Sequence, residues 1–304
     1  MRHKIIDLII SLAQKDENVF LISNDAGYGV IDPFIERYPD RYLNVGISEQ
    51  NMIGVAVGLA KSGKRVFIYT LANFGVLRCL EQIRNDICYQ DANITLIALC
   101  CGIYYETQGF THFGIEDIGC VRSFPNTSIY NPANNHELEF CFNESLSRKG
   151  FNYFRLEQGI PVRDYTPTKI NNYVLEVYSK DKINIISTGV ILEEVLQALK
   201  ELKNLHVGVF SVPFLTHPIS DAIRSIIQDS LYTIVIEEHI SNGGLFSIIS
   251  EVASQLTQHS KIIPIGLSHN GILKIGTHDF MRKNNKMSAK NILNTLKELA
   301  SCTI

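Results

Sequence analysis

The stretch Val45-Gly46-Ile47-Ser48-Glu49-Gln50-Asn51-Met52-Ile53-Gly54 decides how this chain is read. It follows a strand-like run and opens a helix, with Ser48 a good N-cap residue directly before Glu49. Beyond it, Gly54, Val55, Val57, Gly58, Leu59 and Ala60 leave almost no polar face, so the helix is expected to be buried on most sides. A carboxylate at the mouth of such a helix is expected to be desolvated, with a raised pKa suited to holding or passing a proton. A plain capping carboxylate, stabilised by the helix dipole, accounts for the same residue at the same place.

Outward from this stretch, short apolar runs at 19–23, 65–70 and 94–99 alternate with helical patterns at 48–61 and 76–89. Continuous apolar strands separated by helices indicate a parallel sheet covered on both faces. Ligands of such sheets bind at the carboxyl ends of the strands. Asp25, Glu49, residues 70–74 and Thr111-His112 all follow strands and are expected at one edge. After a linker marked by Pro161, Asp164, Pro167 and Asn171-Asn172, a second α/β unit follows. Its strands are expected at 183–187, 206–212, 232–237 and 261–267, and its helices at 192–203 and 245–256. The expected domains are 1–168 and 169–304. The fold class is α/β, with two doubly wound domains.

Composition agrees with that division. A length of 304 residues suggests about two domains. The balance of 28 basic and 31 acidic residues gives no sign of a nucleic-acid or membrane-surface partner. The seven cysteines lie in apolar segments without a Cys-x-x-Cys pair, so neither zinc nor disulfides are expected. The N-terminal amphipathic pattern is interrupted by Asp7 and followed by Gln14-Lys15-Asp16-Glu17, unlike a signal peptide. No run is long enough to span a membrane, and a cytoplasmic protein is expected.

Four segments together carry a resemblance: Asn44 to Met52, Glu81-Gln82-Ile83-Arg84-Asn85, Phe110-Thr111-His112-Phe113-Gly114-Ile115-Glu116-Asp117, and Arg122-Ser123-Phe124-Pro125-Asn126. The run Ile234-Val235-Ile236-Glu237-Glu238-His239, followed by Gly243-Gly244, extends it. Over essentially its whole length the chain resembles the pyrimidine-binding and C-terminal domains of transketolase. That resemblance implies thiamine diphosphate as cofactor, held between two halves of the protein. It assigns Glu49 to the catalytic glutamate that shares a proton with the pyrimidine ring nitrogen. Phe74 matches the aromatic residue that stacks on that ring, although core packing is the ordinary use of a Phe beside a strand end. Asp25 and Thr70 are placed with the cofactor, Asp25 being equally readable as an Asx turn.

The same resemblance places His112 beside the reacting hydroxyls of a sugar, as a catalytic and substrate-binding residue. Arg155 matches an arginine that grips a sugar phosphate, with a structural salt bridge as the competing account. Gln108 stands where transketolases carry an aspartate that reads a substrate hydroxyl, and Cys100 where another histidine is usual. Leu71 and Leu77 replace aromatic residues, so the ring pocket is expected to be more aliphatic. These departures imply a specialised sugar.

The chain holds no Gly-Asp-Gly segment, the mark of the diphosphate-binding half. It therefore resembles the C-terminal section of a split transketolase that transfers a two-carbon ketol unit. The partner subunit would carry Gly-Asp-Gly and hold Mg2+ or Ca2+, the whole assembling as a heterotetramer; no metal site is assigned to this chain. Alternatives are a 2-oxo acid dehydrogenase beta subunit, a deoxyxylulose-phosphate-synthase-like enzyme, and a non-catalytic regulatory subunit.

Overall fold

The computed structural model of the chain describes all residues except 159–161, 163, 164, 166, 168, 172, 203, 204, 217, 218, 303 and 304. The first sheet contains β1 (Val19–Ser23), β2 (Tyr42–Asn44), β3 (Arg65–Leu71), β4 (Ile94–Cys101), β5 (Thr127–Tyr130) and β6 (Phe151–Glu157). They are parallel and ordered β2-β1-β3-β4-β6-β5. β4 and β6 are buried along their whole length, as central strands under helices on both faces must be. The helix Arg2–Ala13 turns Ile5, Ile6, Ile9 and Ile10 into this core.

The strand order fixes where a ligand can sit. From β1 the chain moves to β2 on one side, then returns through the helix Glu49–Lys61 to β3 on the other. Such a reversal opens a crevice between the carboxyl ends of the two strands. Asn24 and Asp25 leave β1 there, and Ala72 to Phe74 leave β3.

The second sheet contains β7 (Lys169–Asn171), β8 (Val174–Tyr178), β9 (Ile183–Ser187), β10 (Gly208–Ser211), β11 (Tyr232–Ile240) and β12 (Lys261–Leu267). Their order is β12-β11-β9-β10-β8-β7. β9 to β12 are parallel, whereas β8 runs antiparallel to both β10 and β7. The expected boundary at residue 168 lies outside the described residues.

One expected helix is broken. Residues 76–89 form short pieces, Leu77–Cys79, Leu80–Gln82 and the π-helical stretch Ile83–Cys88, preceded by Ala72–Gly75. The widened π turn keeps Ile83, Ile87 and Cys88 together on the buried side. Among the described residues no helix is long and apolar enough to cross a membrane.

Candidate functional site

Glu49 is the first residue of its helix and is only 3 % exposed. Ser48 does not cap it, because its hydroxyl turns back to donate to the Val45 carbonyl at 2.8 Å. Two side chains reach the carboxylate instead. Asn24 Nδ2 donates to Oε1 at 3.0 Å, and Arg78 Nη1 donates to Oε2 at 2.7 Å. Burial pushes the Glu49 pKa up, but its own backbone N–H, the Arg78 guanidinium and the Asn24 amide outweigh that push. The carboxyl therefore titrates below its ordinary value, against the raised value expected from sequence.

The helix behind Glu49 is also less enclosed than its sequence suggests. Asn51, Gly54 and Gly58 are exposed, and a methyl group added at either glycine would meet nothing within 4 Å. Ile47, just before the helix, is 80 % exposed, and Tyr28, in the segment after β1, is 76 % exposed. A helix face made of Asn51 and two bare glycines, with the apolar Ile47 beside it, is left open next to the site.

Phe74 lies half-buried at the end of β3, and the Arg78 guanidinium stands 4.7 Å from its ring centroid. One arginine thus bridges the aromatic face and the carboxylate. On another side, His112 meets Phe74 edge-on at 5.2 Å and Tyr105 at 5.4 Å. Its Nδ1 is 3.0 Å from Thr111 Oγ1, and Asn73 donates to the Thr111 carbonyl. The structure therefore brings Glu49, Phe74 and His112 to one crevice. Gln108 is exposed on the same loop as His112.

Other expected residues take different places. Thr70 is wholly buried beneath Gly75, where an added Cβ would collide with Thr70 Cγ2. It packs under the site and presents no hydroxyl to the crevice. Asp25 is exposed with a left-handed φ of 62°, held by the Tyr28 hydroxyl and by Asn44 Nδ2 at 3.3 Å. Those bonds, Tyr28 first, hold its carboxyl below the usual range. The geometry is that of a turn at the crevice rim.

Arg155 corrects the sequence expectation. It is 0 % exposed, with Nε on Asp117 at 2.9 Å, Nη1 on Glu157, and Nη2 on the Gly114 and Glu238 carbonyls at 2.8 and 2.9 Å. Its donors are spent inside the protein, where they join the two domains, and no phosphate can reach them. A cation that is open lies elsewhere: Arg2 is exposed beside a cavity of about 230 Å³ that Tyr104 and Gln158 also line. With its amide oriented to donate to the Tyr104 hydroxyl at 3.2 Å, Gln158 accepts from Arg2 Nε at 3.1 Å. Cys100 and Tyr105 feel the Arg2 charge, and burial pushes the Cys100 thiol up to about 11.

Sequence reasoning missed Asn24, Arg78 and Arg2. Asn24 showed only as half of a turn-forming pair, and nothing local to Arg78 or Arg2 tied them to Glu49 or His112. Asn24 Oδ1 is buried without a hydrogen-bond partner among the described residues. A covered carboxylate, an orphaned amide oxygen and an aromatic face in one crevice suit a flat heterocycle carrying both donors and acceptors.

Two tandem α/β domains with that crevice in the first define a ring-binding enzyme section rather than a general α/β scaffold. The chain belongs to the transketolase family. Residues 1–159 match the transketolase pyrimidine-binding domain, and residues 172–274 match the transketolase C-terminal domain. It is 31 % identical over 280 residues to a subunit of the apulose-4-phosphate transketolase of Actinobacillus succinogenes, covering 90 % of this chain and 89 % of that one. It is 29 % identical over 298 residues to 1-deoxy-D-xylulose-5-phosphate synthase of Clostridium perfringens, of which it spans 48 %. In structure it superposes on a split-gene transketolase, described as an inactive beta4 tetramer, with a TM-score of 0.86 at 24 % identity, over 98 % of this chain and 97 % of that one. This last likeness speaks to the fold.

Proposed function

We propose that the chain is the pyrimidine-binding, C-terminal subunit of a split transketolase that transfers a two-carbon ketol unit between sugars. The observation that carries this reading is the covered carboxylate of Glu49 facing the same crevice as Phe74 and His112. The residues fit thiamine diphosphate. Glu49 would hold a proton at its Oε oxygen against a ring nitrogen, Phe74 would present its face to the ring, and Asn24 Oδ1 would accept from an amino group. The cofactor, when bound, supplies the electron sink for breaking and making a bond beside a carbonyl. Arg78 would have to yield the Glu49 oxygen and the Phe74 face to such a ring. Once Arg78 leaves, the Glu49 pKa should rise, with burial still pushing it up against the helix N–H and the Asn24 amide.

The rest of the assembly is inferred from the relative named as one subunit of a transketolase. This chain holds no Gly-Asp-Gly segment, and among the described residues no cluster of His, Cys, Asp or Glu could hold a metal ion. A separate subunit with that motif would bind the diphosphate with Mg2+ or Ca2+, whose oxygen-rich coordination such a loop provides. The open face of Asn51, Gly54 and Gly58, with Ile47 beside it, gives that partner a surface next to the site. A heterotetramer in the cytoplasm is the expected form. At the substrate end, His112 would face the reacting hydroxyls and Gln108 a further one. Arg2 takes the place proposed from sequence for Arg155, as the cation open to a sugar phosphate. The Actinobacillus succinogenes relative, which covers nearly the same length and is named for a sugar phosphate, supports this reading.

Calorimetric titration with thiamine diphosphate and Mg2+ tests the proposal. The chain alone should bind weakly and show no ketol transfer, and both should appear on adding the Gly-Asp-Gly subunit. Tight binding with full turnover by the isolated chain would overturn the split assignment. The synthase relative makes 1-deoxy-D-xylulose-5-phosphate synthesis the competing activity to assay in parallel.

A further inference from the structure

The loop that carries Gln108, Thr111 and His112 is closed at its base by paired bonds between Gly102 and Gly114, at 2.8 and 3.2 Å. Its first-domain wall is Asn73 and Phe74. Its other wall belongs to the C-terminal domain and centres on one residue. The backbone N–H of His278 donates to Glu106 Oε1 at 3.1 Å, and the His278 ring meets Tyr104 edge-on at 5.8 Å. Ile275 backs Gly109, whose φ of 72° strains any other residue and where an added Cβ would stand a tight 3.0 Å from Ile275 Cδ1. Glu238 closes behind Gly102 in the same manner, at 2.5 Å.

His278 is itself held firmly. Its Nε2 lies 2.7 Å from Glu238 Oε1, in a pair whose side chains are 11 % and 0 % exposed. Arg282 Nε fixes the same oxygen at 2.5 Å, and Arg282 Nη1 reaches Glu194 at 3.2 Å. Tyr104 and Glu106 are the two sequence neighbours of Tyr105, and Tyr105, like Phe74, packs its ring edge-on against His112. Pinning a residue on both sides removes the backbone freedom that would let its ring swing.

We propose that His278 is a positioning residue: by gripping Tyr104 and Glu106 it fixes Tyr105, and through Tyr105 the imidazole of His112. The C-terminal domain thereby sets the geometry of the substrate end from outside the crevice formed by Glu49, Phe74 and His112. Reacting groups must be placed within a fraction of an ångström to be effective, so a small slackening of this loop is costly. The importance of His112 rests on the proposed function, whereas the mechanical link does not.

Two variants loosen the grip from opposite sides. His278→Ala removes the ring that ties this segment to Glu238, and Glu106→Ala removes the acceptor on the loop. The first measurements use the full-length chain without ligands. Amide hydrogen exchange over residues 103–113 should rise about tenfold in both variants while β1, β3 and β4 keep their protection. The His112 ring resonances, assigned with His112→Gln, should move in both variants. His278→Gln, whose amide can still reach Glu238, should restore both signals and guards against a variant that merely misfolds. With the partner subunit, both alanine variants should lose about tenfold in kcat and in kcat/KM alike, the pattern of an interaction made in the transition state. Unchanged exchange over 103–113, or unmoved His112 resonances, overturns the proposal. If the complex has no ketol-transfer activity, the proposed function fails, and the exchange and resonance measurements still decide the positioning claim.

Discussion

Arg78 and Arg155 each face carboxylates that the fold has hidden, yet they lie at opposite depths. Arg155 is completely enclosed, with two carboxylates and two carbonyls on its guanidinium. Arg78 makes one ion pair, to Glu49, covers one ring, and keeps 47 % of its side chain in solvent. The first is a fixed member of the core that joins the two domains. The second is a counter-ion at a mouth, free to rotate away when something else takes the carboxylate. The same residue type therefore does two jobs, and depth decides which. An enclosed arginine is saturated by the protein, while one at a rim retains donors for exchange.

The largest effect expected from this contrast falls on stability. Arg155→Ala strands Asp117 and Glu157 without their counter-ion and should cost about 3–5 kcal/mol, read as a lowered denaturation midpoint or loss of soluble protein. A variant that folds normally and loses only its affinity for phosphorylated sugars would restore Arg155 as a ligand.

Next is Glu49→Gln, which keeps shape but removes the exchangeable proton. Turnover with the partner should fall about a thousandfold, within the range for acid–base groups, with the melting temperature little changed. Deuterium exchange at the thiazolium carbon of the cofactor checks the role directly, and an undiminished rate would refute it. His112→Ala should be milder, about a hundredfold in kcat.

A smaller effect sharpens the rim half of the comparison. Arg78→Met removes a principal influence holding the Glu49 pKa down, so that pKa should rise. The sign of the stability change follows. A carboxyl with a depressed folded pKa stabilises above its unfolded value of about 4.3 and loses that contribution as pH falls through the folded value. The variant should thus melt lower than the wild type at pH 7, by under about 1 kcal/mol for so exposed a partner. The gap should close in acid. A gap that stays constant with pH would show that Arg78 stabilises by packing on Phe74 alone. Smallest is Gln108→Asp, a shift of a few-fold in preference among ketoses, roughly the worth of one exposed hydrogen bond.

Much of this architecture was legible in the chain. Apolar runs separated by helical patterns placed the parallel strands, and their order put Glu49, Phe74 and His112 together because each follows a strand. The antiparallel edge formed by β7 and β8 was not legible, since strands of three and five residues carry no signal of direction. The depth of Arg155 had a signal that the motif match overrode. It sits in Phe151-Asn152-Tyr153-Phe154-Arg155-Leu156, a run of the kind that is buried on both faces. The lowered pKa of Glu49 was out of reach because Asn24 and Arg78 approach it from 25 and 29 residues away.

The bare glycines at 54 and 58 set two measures of quality against each other. An interior helical glycine costs roughly 0.5–1 kcal/mol relative to alanine, and here a methyl group has clear space. A thermal-stability screen of the isolated chain would therefore reward Gly54→Ala and Gly58→Ala as improvements. The added methyls would stand on the face proposed for the partner, where a second backbone must come close. Engineering guided by the melting point of the lone subunit would then select, step by step, for a sturdier protein that no longer assembles.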